Sequence, residues 1–201
     1  MRDTENIHQL AAIQPDYMGF IFYEKSKRYV ESLDRLKLGN LPASIKKTGV
    51  FVDAAIEEIE AKISLYKLEA IQLHGQETPE FCGLLKQAGL EVIKAFGVDN
   101  QFDFNLLNRY DEAVDYFLFD TKTDKHGGSG MVFDWNLLQN YTLSKPYFLS
   151  GGLDTEHLNE LLNIPDQRLY ALDLNSRFEL EPGLKDIQKL TSFFNAIRIP
   201  V

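Results

Sequence analysis

The chain has 201 residues, 44% of them hydrophobic and 25% charged, enough apolar material for one sizeable core and a single domain over residues 1–201. Its net charge of −9, without a clustered run of Lys and Arg, excludes the basic footprint of a nucleic-acid binder but leaves room for an anionic small molecule held by a few placed donors. The lone Cys82 excludes a disulfide framework or a cysteine metal site and suits a reducing, cytoplasmic compartment; no apolar run reaches membrane-span length, and Met1-Arg2-Asp3-Thr4-Glu5 is too polar for a signal peptide.

In chain order, Ile7, Leu10 and Ala11 give a first helical face. A strand is predicted over 18–22 and another over 48–52. Asp53 is then placed to cap a helix that buries Ile56, Ile59 and Ile63. A strand over 70–73 precedes Thr78-Pro79, a helix start whose inward face is Phe81, Leu84 and Leu85. Strands follow over 91–96, 116–119, 146–149 and 169–174. Weaker helical patterns lie at 102–108 and 134–139. Asp154 is placed to cap a helix carrying Leu158, Leu161 and Leu162, and Ile187, Leu190 and Phe194 mark the last one. Several strands are apolar throughout, as strands buried on both faces are.

Regular strand–helix alternation predicts a parallel sheet. No Gly-x-Gly-x-x-Gly turn follows an early strand, so a dinucleotide-binding open sheet has little support. The glycines fall late, at Gly127-Gly128-Ser129-Gly130 and Ser150-Gly151-Gly152, where (β/α)8 barrels of the TIM type grip phosphate. The expected fold is therefore that barrel. A closed one needs eight strands, and the pattern holds one fewer: the chain opens almost directly in a helix.

Ser150-Gly151-Gly152-Leu153 ends a strand, and its glycines let backbone N–H groups approach an anion; the plainer reading is a tight turn. Asn175 and Ser176, with Arg177, end the next strand and add small donors, or form a simple Asx turn. Asp120 ends an apolar strand at the face where barrels do chemistry, and shielding from water suits a carboxylate there to general-acid work; a loop carboxylate is the alternative. Arg28, in Lys25-Ser26-Lys27-Arg28-Tyr29, offers a bidentate fork for a carboxylate, or is a solvated basic residue. Gln72 and His74 close another strand; His74 is a proton shuttle or a structural histidine. Cys82 sits inside a helix as a packing residue.

Taken in order, Gly19-Phe20-Ile21-Phe22-Tyr23, Ser26-Lys27-Arg28-Tyr29, Gly49-Val50-Phe51-Val52, Gln72-Leu73-His74-Gly75, Phe119-Asp120-Thr121, Gly127-Gly128-Ser129-Gly130, Phe133-Asp134-Trp135, Ser150-Gly151-Gly152-Leu153, Leu172-Asp173-Leu174-Asn175-Ser176 and Pro182-Gly183-Leu184-Lys185-Asp186 resemble the phosphoribosylanthranilate isomerase family of tryptophan biosynthesis. The resemblance runs nearly end to end. It implies an Amadori-type rearrangement of a phosphoribosyl amine of anthranilate to an open-chain ketose, with no metal and no organic cofactor. By position it implies that Asp120 is the general acid, that Arg28 meets the anthranilate carboxylate, and that Gly128, Gly151, Gly152, Asn175 and Ser176 belong to the substrate and phosphate site with Gln72 and His74. The implied partner is a phosphorylated small molecule, with no nucleic acid and no membrane. Lys27 stands where the family often has Pro, and Arg177 where it often has Gly.

The family's base is a Cys in a Lys-x-Cys-Gly segment ending the first strand. Met1-Arg2-Asp3-Thr4-Glu5-Asn6-Ile7 resembles the residues just after it. The expectation is that Met1 is an internal residue of a longer natural chain, and that residues 1–201 alone leave a barrel with an open seam and impaired turnover. A related barrel resembling indole-glycerol-phosphate synthase, and a non-catalytic phosphate-binding barrel, are the competing readings.

Overall fold

A computed structural model describes residues 1–122 and 132–198. Seven parallel strands form one curled sheet in sequential order. They are β1 (Tyr17–Ile21), β2 (Lys46–Phe51), β3 (Ala70–Leu73), β4 (Glu91–Val98), β5 (Tyr116–Thr121), β6 (Tyr147–Leu149) and β7 (Leu169–Leu172). Consecutive strands are neighbours throughout, as short connections between successive elements favour. The helices are α1 (Thr4–Ala12), α2 (Arg35–Gly39), α3 (Ile56–Tyr66), α4 (Pro79–Gln87), α5 (Leu158–Leu162) and α6 (Ile187–Ile197). A two-stranded antiparallel hairpin, β8 (Glu179–Glu181) with β9 (Leu184–Lys185), follows β7.

Side chains alternate across the strands. Phe20, Phe51, Ile71, Phe117, Phe119 and Leu149 are buried in the main core, together with Ile59, Cys82 and Leu85 from the helices. A separate cluster of Ile93, Ala95, Leu118 and Phe148, with Tyr17, Tyr116 and Ala171 against it, fills the interior of the curl. The curl is tight enough for Tyr17 of β1 to meet Phe148 of β6 at 5.1 Å and Tyr170 of β7 at 6.5 Å between ring centres. β1 and β7 each have one strand neighbour. On the edge of β1 away from β2, Met1 N donates to Gly19 O (3.1 Å) and Val30 N to Ile21 O (2.9 Å).

All seven expected strands of the sheet are present, with ends moved by up to two residues. Thr78 caps α4 with Pro79 in its first turn, as its sequence requires. Three local expectations fail. Asp53 does not cap α3: it adopts φ +50°, and its carboxylate accepts from Gln76 N (2.5 Å) instead. Leu84, expected inward, is 56% exposed, because α4 turns a narrower face to the sheet through Cys82 and Leu85. The weak helical patterns at 102–108 and 134–139 are 3-10 helices, Phe104–Tyr110 and Trp135–Asn140, started by Asp103 and Asp134. The segment α2 and the hairpin β8–β9 were not anticipated.

Candidate active site

A cavity of about 490 Å³, of a size for a phosphorylated small molecule, runs from the C-terminal ends of the strands down to Asp16 and Tyr17 at the start of β1. Strand pleating decides which side chains line it. β5 sends Leu118 and then Asp120 inward, β6 sends Phe148 and then Ser150, and β3 contributes Gln72 and then His74. The ladder hydrogen bonds continue past the strand ends: His74 N donates to Phe51 O, Ser150 N to Phe119 O and Asp173 N to Leu149 O, each at 2.8 Å. These bonds fix the residues that carry the chemistry on rigid backbone.

Asp120 is partly shielded, its side chain 26% exposed, and its Oδ2 lies 3.3 Å from His74 Nε2. Gly151 backs against it. At φ +89° this residue adopts a conformation that only glycine holds without strain, and a Cβ there would lie 2.8 Å from Asp120 Oδ1 and overlap Thr121. The loop expected to grip phosphate therefore touches the expected acid. Thr121 also ties the two together, since its hydroxyl lies 3.5 Å from Gly151 O and accepts from Phe133 N at 3.0 Å.

A second carboxylate, Asp173 at the end of β7, was not singled out from sequence. Burial pushes its pKa up, against the pull of Lys185; the negative charge of Asp120 pushes the same way. Ser150 Oγ lies 3.5 Å from its Oδ2, and Gln72 lines the same cavity. A signal did exist in the sequence: Asp173, like Asp120, is a lone acid near the C-terminal end of a largely apolar strand run.

The remaining expected residues converge on the same cavity. Gln72, His74, Gly151, Gly152, Asn175, Ser176 and Arg28 all line it. Gly128 lies outside the described residues. Arg28 is not a solvated basic residue: its side chain is 14% exposed and its guanidinium pairs with Glu179. Among the described residues, no group of three His, Cys, Asp or Glu side chains is arranged to hold a metal ion, and no helix is long and apolar enough to cross a membrane.

The comparisons agree with this geometry. The family model for N-(5'-phosphoribosyl)anthranilate (PRA) isomerase matches residues 1–196. The N-(5'-phosphoribosyl)anthranilate isomerase of Parabacteroides distasonis is 46% identical over 202 residues, covering 100% of this chain and 91% of that one. That of Phocaeicola vulgatus is 42% identical, with 98% and 95% covered. Among solved structures, phosphoribosyl anthranilate isomerase from Thermotoga maritima superposes with a TM-score of 0.86 at 34% identity, over 98% of this chain and 95% of that chain. A phosphoribosyl anthranilate isomerase in complex with reduced 1-(o-carboxyphenylamino)-1-deoxyribulose 5-phosphate superposes at 0.79 with 30% identity, over 98% and 95%. Site geometry, sequence and fold lead to one assignment: the chain belongs to the N-(5'-phosphoribosyl)anthranilate isomerase family, isomerases of tryptophan biosynthesis.

Proposed function

We propose that the C-terminal end of the curled sheet binds N-(5'-phosphoribosyl)anthranilate and rearranges it to 1-(2-carboxyphenylamino)-1-deoxyribulose 5-phosphate. The observation that carries this reading is the contact between Asp120 and the Gly151 turn. A phosphate held by the N–H groups of the 151–152 and 175–176 loops anchors one end of the ribose beside a proton donor. Gly128 belongs to the same proposed grip.

In this mechanism Asp120 gives its proton to the ring oxygen as the C1–O bond breaks, and the amine lone pair forms the C1=N⁺ iminium. A base takes the proton from C2, and its electron pair closes the C1=C2 enolamine while neutralising the nitrogen. Tautomerisation then gives the ketone. His74, 3.3 Å from Asp120, positions the acid, and Ser150 orients Asp173. Arg28 receives the anthranilate carboxylate. No metal or organic cofactor enters, and the compartment is the cytoplasm.

The resemblance assigns the base to a Cys that this sequence does not contain. Cys82 does not stand in for it. It is fully buried in α4, away from the cavity, and burial pushes its thiol up to about 11. The finer fold reading follows: the seven strands belong to an eight-stranded barrel whose remaining strand fits between β1 and β7 and carries the base. The test compares turnover of residues 1–201 with that of the same chain preceded by a strand ending in Cys. The longer chain is expected to be faster by about 10²–10⁴-fold, the usual worth of a general base. Equal rates overturn the assignment of the base.

An indole-glycerol-phosphate synthase-like reading is not favoured. It wants a Lys and a Glu presented at strand ends. The pair Lys94–Glu77 (3.1 Å) is buried, and Lys94 spends its donors on the carbonyls of Leu73, Gly75 and Ala95, outside the cavity lining.

A further inference from the structure

We infer that Glu179 and Lys185 form a positioning pair: Glu179 aims Arg28 at the substrate carboxylate while Lys185 braces Asn175 of the phosphate loop. The inference deepens the proposed substrate reading and rests on it.

The hairpin β8–β9 brings the two residues together, since Glu179 and Lys185 are direct cross-strand partners. Its turn also orients the carboxylate. Gly183, at φ +89°, donates its N–H to Glu179 Oε1 at 3.1 Å. The hairpin is pinned in turn by α1, because Asn6 exchanges two hydrogen bonds with the Lys185 backbone, at 2.7 and 2.9 Å.

From this support Glu179 reaches the loop after β1. Arg28 Nε donates to Oε2 and Oε1 at 2.8 and 3.1 Å, and Nη2 lies 2.7 Å from Oε2. That uses one edge of the guanidinium. Among the described residues Nη1 makes no hydrogen bond, so the second edge keeps its donors for a ligand. Arg28 lines the cavity while Glu179 does not: the carboxylate stands behind the cation it holds. An arginine fixed in this way has already lost the rotamer freedom that a mobile one would lose on binding.

Lys185 extends the arrangement to the phosphate side. Its Nζ donates to Leu174 O (3.0 Å), Asn175 O (3.2 Å) and Asn175 Oδ1 (2.9 Å), and lies 3.5 Å from Glu179 Oε1. With Oδ1 held, the Asn175 amide can offer only its NH2 to an anion. Glu179 and Lys185 side chains are 4% and 9% exposed, so removing either charge leaves the other shielded from water and short of a partner. Together the two residues hold the carboxylate grip and the phosphate grip at a fixed separation.

The test uses titration of two probes against the folded chain: reduced 1-(o-carboxyphenylamino)-1-deoxyribulose 5-phosphate, and the same compound without the aromatic carboxylate. Glu179→Gln is expected to weaken the first by about tenfold, the scale of a hydrogen bond to a charged group, and the second by under about twofold. Lys185→Gln is expected to weaken both equally. Arg28→Lys keeps the charge but loses the fork, and is expected to reproduce the selective loss of Glu179→Gln; it stands in if Glu179→Gln does not fold. Equal weakening of both probes by Glu179→Gln, or no weakening, overturns the inference, as does a preserved probe ratio in Arg28→Lys. If the unaltered chain binds neither probe, the substrate reading fails and this inference fails with it.

Discussion

The two ends of the sheet are made by the same strands and behave as different materials. Toward the N-terminal end Tyr17, Tyr116, Phe148 and Tyr170 pack together, with Tyr116 and Tyr170 stacked at 4.6 Å and Tyr116 edge-on to Phe148 at 5.3 Å. The ion pair Lys46–Glu91 sits among them, beside the Tyr17 hydroxyl. At the C-terminal end the inward positions become Gln72, His74, Asp120, Ser150 and Asp173, around a cavity. β5 makes the change over Tyr116, Leu118 and Asp120, and β6 between Phe148 and Ser150. Apolar and aromatic packing dominates one end, while polar side chains held by the continuing ladder bonds line the other. Stability and chemistry are separated along each strand.

That separation can be broken one residue at a time. Asp120→Asn is expected to cut turnover by about 10²–10⁴-fold while leaving the melting temperature nearly unchanged. Phe117→Ala should do the reverse. Phe117 is fully buried and outside the cavity lining, and its loss is expected to cost about 3–5 kcal/mol in denaturant unfolding, with turnover per folded molecule retained. Gly151→Ala would touch both properties, since it strains the backbone and pushes on Asp120: at least about 1 kcal/mol of stability, with weaker phosphate binding in the same variant.

The smallest effect belongs to the rim of the aromatic end. Asp166 accepts from Arg168 and from the Tyr147 hydroxyl, and the Arg168 hydrogen bond holds its carboxyl below 3.8. A carboxylate whose pKa is depressed by folding stabilises the protein above its unfolded value and loses that contribution as pH falls through the folded one. Asp166→Asn is therefore expected to cost up to about 1 kcal/mol at pH 7 and nearly nothing well below pH 3.8, read from melting curves at both pH values.

The strands were legible because each is short, apolar and bounded by turn residues, and β3 matches its expected range residue for residue. Asp120, the Gly151-Gly152 turn and Arg28 were legible as residues of the cavity because they follow the C-terminal ends of apolar strands. What stayed hidden has physical reasons. Two- and three-residue strands such as β8 and β9 carry no periodicity, so the hairpin left no pattern. The Arg28–Glu179 pair joins positions 151 residues apart, beyond any local signal. Asp173 was hidden by the apolar residues beside it, and its place in the cavity is a product of the curl. Asp53 reads as a helix cap until Gln76 competes for its carboxylate.

The proposed role of Asp120 is chemistry at the C-terminal end, and neither ligand binding nor the fold depends on it. Titrating Asp120→Asn with reduced 1-(o-carboxyphenylamino)-1-deoxyribulose 5-phosphate tests it most directly. An affinity within about threefold of the unaltered chain, beside the lost turnover, is the predicted result, because a group that acts in the transition state contributes little to ground-state binding. Affinity and turnover falling together by the same factor would contradict it.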